Sequence, residues 1–458
     1  MAFNLQLFKQ HLQKAELVML ENEIKGSLTY LTYGLEVKQK LYSLAINLLR
    51  AEGFSEIKLT DIVLKSDIEK LDFIAPISKN YFSITGTDFS MAAGHEVPFY
   101  LFLKRYLKHT PSFISPMRLF HFGSVFRFPK NTKFPFNLGE RRSFLENYIV
   151  YKDEQDSEKY LDQAICWNRN LIKEVLHIPS IEVERPLITN KPFSRKTVCI
   201  DSITPLGITV ITGMSYWHDD IFTKIFEVKY KNQRTNKNIL AHTIHFGVSD
   251  HLFFSYLLNS HDGRGFRLFN KLAPSQISII LDKNLGTACK ETKAITSYLK
   301  RKNYSFTTNS IARKKLNTCI EKDIIKGIPL VITILHEKEY VDVSLRYRGD
   351  TSPQKINLHT LETIDLLLEK NDRDITDALK EKERDGIVDC TSLTQVSDVL
   401  TQGKVCKVYL QNNNTSVKSF ESQILSGEIL GFSSSEQEGP DILANNPVST
   451  IAYISRRS

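Results

Sequence analysis

Apolar residues recur at helical spacing early in the chain. The positions concerned are Leu35, Val37, Leu41, Leu44, Ala45, Leu48 and Leu49. This spacing predicts an amphipathic helix over 35–49, and Gly53 supplies a stop signal just beyond it. The run FSEIKLTDIVL that follows is rich in β-formers and predicts a strand.

A long hairpin is predicted next. The stretches 117–125 and 144–151 are strand-like, and the Pro- and Lys-rich sequence PKNTKFPFNLGERR joins them. Further elements are a helix near 157–176, strands near 197–200, 208–212 and 226–230, and a strand-to-helix turn at Ser249 and Asp250, a pair suited to an N-cap. Strands with few intervening helices favour a largely antiparallel sheet that carries a site on one face.

The pattern changes from residue 272 onward. Strands and helices now alternate as far as about residue 382, which predicts a mixed three-layer α/β domain. Beyond residue 389 lie more strand-like runs, the polar stretch QNNNTS and the Ser-rich stretch GFSSSEQEGP. We predict a small appended module with a mobile loop.

Composition narrows the class of protein. The chain has 458 residues, 41% of them hydrophobic, which predicts two domains and an appendage. No apolar run reaches the length of about eighteen residues that a membrane helix needs, so a soluble cytoplasmic protein is expected. The six cysteines are widely spaced, which favours neither a disulfide framework nor a cysteine zinc site. A net charge of +8 suits a polyanionic partner, although the Lys and Arg residues are spread along the chain.

Specific residues give a family resemblance. Tyr30, Leu31, Tyr33 and Gly34, followed by the predicted helix and strand, resemble motif 1 of class II aminoacyl-tRNA synthetases of the prolyl type. Thr32 and Thr60 stand where the family has prolines. The motif forms the dimer interface in that family, so the resemblance implies a homodimer. An ordinary core helix and strand would give the same pattern.

Motif 2 of this family is matched at both ends of the basic loop. Arg127 corresponds to the arginine that binds the α-phosphate of ATP. Arg142 and Phe144 lie on the return strand, and Phe144 corresponds to the residue that stacks under adenine. The resemblance thus implies nucleotide binding by these three residues. Pro129 and Ser143 replace two glutamates of the motif, so two carboxylates at the nucleotide are missing.

Motif 3 and the amino-acid pocket are altered as well. Gly-Val-Ser is followed by Asp250 where the family has an arginine aimed at the γ-phosphate, and we expect Asp250 to cap the helix instead. Glu96 retains a family carboxylate that could bind a substrate amine, and Ser215 is also retained. Tyr216 replaces a family histidine. The resemblance therefore implies an amino-acid site made by Glu96, Ser215 and Tyr216. It also implies that the adenylation reaction is much slower than in the family.

The family resemblance also implies a division of the chain into domains. It implies a catalytic-like α+β domain with the class II synthetase fold at 1–271, an α/β anticodon-binding-like domain at 272–388 and a small C-terminal module at 389–458. The zinc-bearing members of the family ligate metal through cysteines in that module. No cysteine lies beyond Cys406 here, so we predict no zinc. ATP with Mg²⁺ is the cofactor that the resemblance implies.

Three functions remain open at this point. The first is a binding or regulatory paralogue with an impaired adenylate site, whose partner is a tRNA, a nucleotide or a protein. The second is an active ligase that adenylates another amino acid and transfers it to tRNA, a carrier protein or a metabolite. The third is a polymerase accessory subunit, which only the basic charge favours.

Overall fold

A computed structural model describes most of the chain. The described residues are 3–20, 27–72, 74, 81–110, 113–127, 136, 140–186, 192–232, 235–285, 289–337, 341–348 and 353–456. Pro129 and most of the basic loop after Arg127 lie outside these ranges.

Helices and strands alternate through the described ranges. The α-helices are α1 (Leu5–Lys14), α2 (Thr32–Ala51), α3 (Lys65–Glu69), α4 (Glu96–His109), α5 (Ser157–Arg169), α6 (Ile221–Ile225), α7 (Asp250–Ser260), α8 (Lys290–Arg301), α9 (Leu316–Lys326), α10 (Thr363–Gly386), α11 (Leu393–Thr401) and α12 (Asn414–Gln423). The first strands are β1 (Val18–Leu20), β2 (Leu28–Tyr30), β3 (Ser55–Glu56), β4 (Ile62–Leu64), β5 (Phe89–Met91), β6 (Met117–Phe126), β7 (Glu140–Tyr151), β8 (Ser180–Glu184), β9 (Lys196–Ile203), β10 (Thr209–Asp219) and β11 (Lys229–Lys231). The remaining strands are β12 (Asn238–Leu240), β13 (His242–Val248), β14 (Ile277–Asp282), β15 (Phe306–Ile311), β16 (Leu330–His336), β17 (Val341–Tyr347), β18 (Gln354–Lys355), β19 (Ile387–Asp389), β20 (Val405–Tyr409), β21 (Gly427–Pro440) and β22 (Pro447–Arg456). In the part of the chain described here, no helix is both long and apolar enough to cross a membrane.

The predicted helix over 35–49 is confirmed within α2. It ends as expected near Gly53, which has a φ of +81°, a conformation that glycine adopts without strain. The predicted helix near 157–176 is α5, which continues as one π-helical segment over Asn170–Val175. A single residue, Ser249, separates β13 from α7, in agreement with the predicted strand-to-helix turn.

An eleven-stranded sheet carries the site. Its strand order is β19-β20-β22-β21-β8-β9-β10-β13-β7-β6-β3. The neighbours pair antiparallel except at the β19–β20 and β3–β6 edges, so the predicted mixed, largely antiparallel sheet is confirmed. Helix α5 covers one face, where Trp167 packs edge-on against Phe246 with ring centroids 5.6 Å apart. His245, the neighbour of Phe246 on β13, therefore faces the opposite side of the sheet.

A second sheet has five strands in the order β15-β14-β16-β17-β18. Strands β14, β15 and β16 are parallel, and β17 is antiparallel to β16, which agrees with the predicted α/β alternation. A 3₁₀ turn over Arg313–Lys315 comes directly before α9. Gly327 ends α9 with a φ of +82°.

Contacts divide the chain into two compact units. One contains the described residues of 1–21, 28–44 and 257–381, and the other contains those of 22–27, 45–256 and 382–458. The strands after residue 388 belong to the large sheet, since β21 pairs with β8 through Phe432 and Glu184. The predicted limits after residues 271 and 388 group the chain differently and stay a prediction.

Candidate active site

Arg127 and Phe144 lie together at the end of the β6–β7 hairpin. The guanidinium carbon of Arg127 is 5.3 Å from the ring centroid of Phe144, a distance typical of a cation–π contact. Arg127 Nε donates to the carbonyl oxygen of Ala93. Gly94 leaves room for this arrangement, because a Cβ there would lie 2.2 Å from Glu96 Oε2 and 3.4 Å from Arg127 Nη2. The structure thus brings Arg127, Phe144 and Glu96 together.

Asp250 lies in the same unit, at the first turn of α7. It is fully buried, and its Oδ2 accepts the backbone N–H of Ser143 at 3.1 Å. Burial and the charge of Arg127 lower the pKa of Arg141 to about 9, and Asp250 opposes that shift. We refer to Arg127, Arg141, Phe144 and Asp250 as the arginine edge.

The start of α7 has two recorded contacts. Ser249 Oγ accepts the N–H of His251 at 3.4 Å, and Asp250 Oδ2 accepts the backbone N–H of Ser143 on β7. Capping of α7 by the Asp250 carboxylate stays a prediction. Asp250 still places a negative charge in the first turn, which complements the helix dipole.

Glu96 is the first residue of α4 and keeps part of its carboxylate in solvent. Its side chain is 25% exposed, and Oε1 is 3.9 Å from Nδ1 of His245 on β13. The ring of His245 stacks on Tyr148 with centroids 4.6 Å apart. Nε2 of His245 is 3.8 Å from Oε1 of Glu146. Glu96 therefore faces an aromatic and histidine-lined wall.

Tyr216 and Ser215 lie on opposite faces of β10. The hydroxyl of Tyr216 donates to Met214 Sδ at 2.9 Å, on the face that carries His245. Ser215 Oγ instead accepts from Asn168 of α5 at 3.0 Å, so the structure does not bring Ser215 to Glu96 and Tyr216. Successive side chains of a strand alternate between faces, which is the physical reason.

Tyr216 also borders a cavity of about 370 Å³. Charged groups line it, since Arg185 Nη2 is 2.8 Å from Asp201 Oδ1, and Asp201 is almost fully buried. The lining residues are Arg185, Thr197, Cys199, Asp201, Thr209, Ile211, Met214, Tyr216, Glu428, Ile429 and Leu430. A buried ion pair beside an open volume is a polar lining for a small ligand.

The other substituted positions have structural surroundings of their own. Thr60 is exposed, and its Oγ1 accepts the N–H of Ile62 at 3.2 Å. Ser143 is buried on β7 next to Arg142, whose side chain is exposed. Pro129 is one of the residues that the structure does not describe.

Sequence reasoning missed a group of histidines and carboxylates behind Glu96. His95 Nδ1 lies 2.5 Å from Glu146 Oε2, and Glu146 Oε1 accepts the backbone N–H of His95 at 3.1 Å. His95 Nε2 is 3.2 Å from Asp61 Oδ1, and the His95 and His121 ring centroids are 4.2 Å apart. We refer to Asp61, His95, His121 and Glu146 as the histidine–carboxylate cluster.

Within this cluster, His95 and Glu146 each favour the charged form of the other. Burial alone would raise the pKa of Glu146, yet the charge and hydrogen bond of His95 lower it to about 2. Burial acts against the charged form of His95, but Glu146 and Asp61 raise the pKa of His95. Glu146 was within reach of the sequence, because it follows Phe144 by two positions and so shares its face of the strand.

Comparisons by sequence and by structure both find prolyl-tRNA synthetases. No protein-family model matches the chain. It is 23% identical over 440 residues to the proline–tRNA ligase of Pyrobaculum neutrophilum, covering 92% of this chain and 88% of the relative. It is 22% identical over 410 residues to the proline–tRNA ligase of Methanosarcina mazei, covering 86% and 84% respectively.

Solved structures share the fold over nearly the whole chain. A Giardia lamblia prolyl-tRNA synthetase in complex with prolyl-adenylate superposes with a TM-score of 0.87 at 17% identity, covering 99% of this chain and 98% of that one. A Cryptosporidium parvum prolyl-tRNA synthetase complexed with L-proline and AMP gives 0.85 at 16% identity, covering 98% and 94%. The predicted resemblance and the class II synthetase fold are confirmed: the chain is similar in sequence to proline–tRNA ligases and shares the fold of prolyl-tRNA synthetases.

Proposed function

We propose that the chain is a binding or regulatory paralogue of prolyl-tRNA synthetases, with an adenylate site that no longer makes prolyl-adenylate at a useful rate. The observation that carries this proposal is the buried carboxylate of Asp250 in the arginine edge. It occupies the position that motif 3 gives to a phosphate-binding cation.

A carboxylate there changes the electrostatics of the reaction. It removes one favourable contact to a polyphosphate and adds repulsion. Loss of one preorganised contact of this kind commonly costs about 10² to 10³ in rate. Asp250 is also held by Ser143, so it cannot simply turn away from a bound nucleotide without breaking that hydrogen bond.

Residues of the arginine edge still support nucleotide binding. Arg127 and Phe144 retain a cation beside an aromatic face, and partly buried Arg141 adds a second cation. An arginine fork suits phosphate oxygens, and an aromatic ring suits a purine. The related Cryptosporidium parvum enzyme is known in a complex with halofuginone and AMPPNP. We propose ATP with Mg²⁺ as the ligand of the arginine edge.

A paired experiment tests this proposal. Equilibrium binding of ATP and AMP is measured by calorimetry, and proline-dependent pyrophosphate exchange is measured on the same preparation. We expect saturable nucleotide binding without exchange. Proline-dependent exchange at the rate of an ordinary synthetase would overturn the impaired-site proposal, and absence of nucleotide binding would overturn the ligand assignment.

An active ligase for a different amino acid is the second candidate. Glu96 favours it, because its partly exposed carboxylate can accept a substrate amine beside His245. The acceptor would be tRNA, a carrier protein or a small metabolite. Pyrophosphate exchange with each of the twenty amino acids separates the two candidates, since a signal with any amino acid other than proline supports the ligase.

The remaining features belong to the same proposal. A tRNA partner is supported by the net charge of +8 and by the relatives' activity. We propose a homodimer through α2, which exposes Leu35 to 43%, and a cytoplasmic location. Light scattering at micromolar concentration tests the dimer, and a monomeric mass would remove it.

A further inference from the structure

Three side chains from separate segments converge behind Glu96. Asp61 precedes β4, His95 precedes α4, and His121 lies in the middle of β6. One ligand atom from each of the three lies within 4.8 Å of the others. Both histidines are fully buried, whereas the Asp61 side chain is 44% exposed. The group is therefore closed toward the core and open on one side.

His95 is oriented as a metal-binding histidine usually is. Its Nδ1 lies 2.5 Å from the buried Glu146 carboxylate, so this nitrogen carries the proton that the carboxylate accepts. Nε2 is thereby directed at Asp61. A carboxylate behind a ligating imidazole fixes its tautomer and raises its basicity.

His121 adds the observation that points to a ligand. Its Nδ1 lies 3.2 Å from the backbone nitrogen of Leu59 and 3.3 Å from the carbonyl oxygen of Ile57. Its Nε2 is buried and has no hydrogen-bond partner among the described residues. In the tautomer that donates from Nδ1 to Ile57, the lone pair is on Nε2, and a bound ion would give this buried nitrogen its partner.

We propose that Asp61, His95 and His121 bind a divalent first-row transition metal ion. Two imidazoles and one carboxylate are the donors of open zinc sites and of related iron sites, whereas Mg²⁺ and Ca²⁺ prefer oxygen donors alone. Glu146 serves as the outer carboxylate behind His95. The exposed side of Asp61 leaves room for a water ligand.

The site goes beyond the proposed function because it lies outside the arginine edge. It departs from the prediction of no zinc, which rested on the cysteines alone, because its ligands are histidines and a carboxylate. The bound ion ties the segment before β4 to the start of α4 and to β6. It thereby holds the backbone that presents Glu96, the residue after His95.

Metal binding is tested directly on the full chain. Chelator-treated protein is titrated with Zn²⁺ by calorimetry and with Co²⁺ by visible absorption, and metal content is measured by elemental analysis after gel filtration. We expect one ion per chain and a Co²⁺ spectrum of nitrogen and oxygen ligation. Less than a tenth of an equivalent in both titrations would overturn the proposal.

Variants assign the ion to these residues. Asp61→Asn changes a half-exposed side chain without disturbing the core, and we expect affinity to fall at least tenfold. His121→Gln should abolish binding, and Asp61→Asn decides the question if that variant does not fold. Asp88→Asn and His109→Gln, both at exposed positions of the same region, should bind as the unaltered chain does.

A second carboxylate and histidine group provides the competing assignment. Glu96, Glu146 and His245 also lie close enough to share an ion. If Glu96→Gln abolishes binding and Asp61→Asn leaves it unchanged, the ion belongs to that group and the proposal fails. If only Asp61→Asn weakens binding, the proposal stands.

Discussion

The arginine edge and the histidine–carboxylate cluster lie in the same unit but pair their charges differently. In the arginine edge, the charge of Arg127 helps to lower the pKa of Arg141, and Asp250 accepts the backbone N–H of Ser143. In the cluster, Glu146 is a carboxylate that is completely buried and fully paired. Burying a charge is costly unless it is paired and hydrogen-bonded. The cluster therefore holds a buried carboxylate beside a histidine, whereas the arginine edge places two cations near each other.

The largest effect is expected from breaking the cluster at Glu146. Glu146→Ala leaves the buried His95 without its carboxylate, and loss of one partner of a buried pair costs about 3 to 5 kcal/mol. Urea unfolding followed by tryptophan fluorescence measures the loss. Glu158→Ala on exposed α5 surface is the matched control and should stay within about 0.5 kcal/mol. A change as small as that of the control would show that the pair contributes little.

In the arginine edge, Asp250→Arg restores a cation and tests whether Asp250 alone limits adenylation. Asp250→Arg supplies the missing phosphate contact, which is worth about 10² to 10³ in rate when it acts alone. We expect pyrophosphate exchange with proline to remain near background, because Tyr216 and Ser143 are unchanged and effects within one site are not additive. Exchange is measured with Asp250→Asn as the control for lost charge. Full activity in Asp250→Arg would mean that Asp250 alone silences the site.

Removal of a retained cation should weaken nucleotide binding. Arg127→Ala loses a charge-assisted hydrogen bond of about 1.5 to 3 kcal/mol, which corresponds to a fall in ATP affinity of about 10- to 150-fold. Arg105→Ala removes the same charge from the exposed face of α4 and should bind ATP normally. Calorimetry on both variants decides, and equal affinities would remove Arg127 from the site.

The smallest effect concerns an ordinary histidine–carboxylate pair that serves as a reference. His242 Nδ1 lies 2.5 Å from Asp219, whose other neighbour is Arg195. The hydrogen bond to Asp219 raises the pKa of His242. Burial opposes ionisation of Asp219, but His242 and Arg195 lower its pKa overall.

The pH dependence follows from these directions. The His242 contribution is complete below its unfolded pKa near 6.5 and is lost as pH rises through the raised folded value. The Asp219 contribution is complete above about 3.8 and is lost as pH falls through the lowered value. We expect His242→Gln to cost about 1 kcal/mol at pH 5 and less at pH 9. Unfolding free energies at both pH values measure this, and an equal cost would show that His242 is neutral in the fold.

Local patterns were sufficient for the secondary structure and for half of the site. The apolar spacing of α2 with Gly53 behind it, and the two strands around the basic loop, are periodicities of a single segment. Arg127 and Phe144 follow from the resemblance to motif 2 of the prolyl-type synthetases, and the structure brings them together. The alternation of Ser215 and Tyr216 on β10 was also within reach, since neighbouring residues of a strand face opposite sides.

What the sequence by itself determined was the order of elements, the antiparallel sheet and the residues standing at motif positions. Only the tertiary structure decided that His121 lies opposite Glu146 in the β6–β7 pairing. That register includes an irregularity between Gly123 and Val125, and a slip by one residue would turn every side chain to the other face. Asp61 and His95 meet them only because distant segments pack on that face. Such proximity is long-range and leaves no periodic trace in the chain.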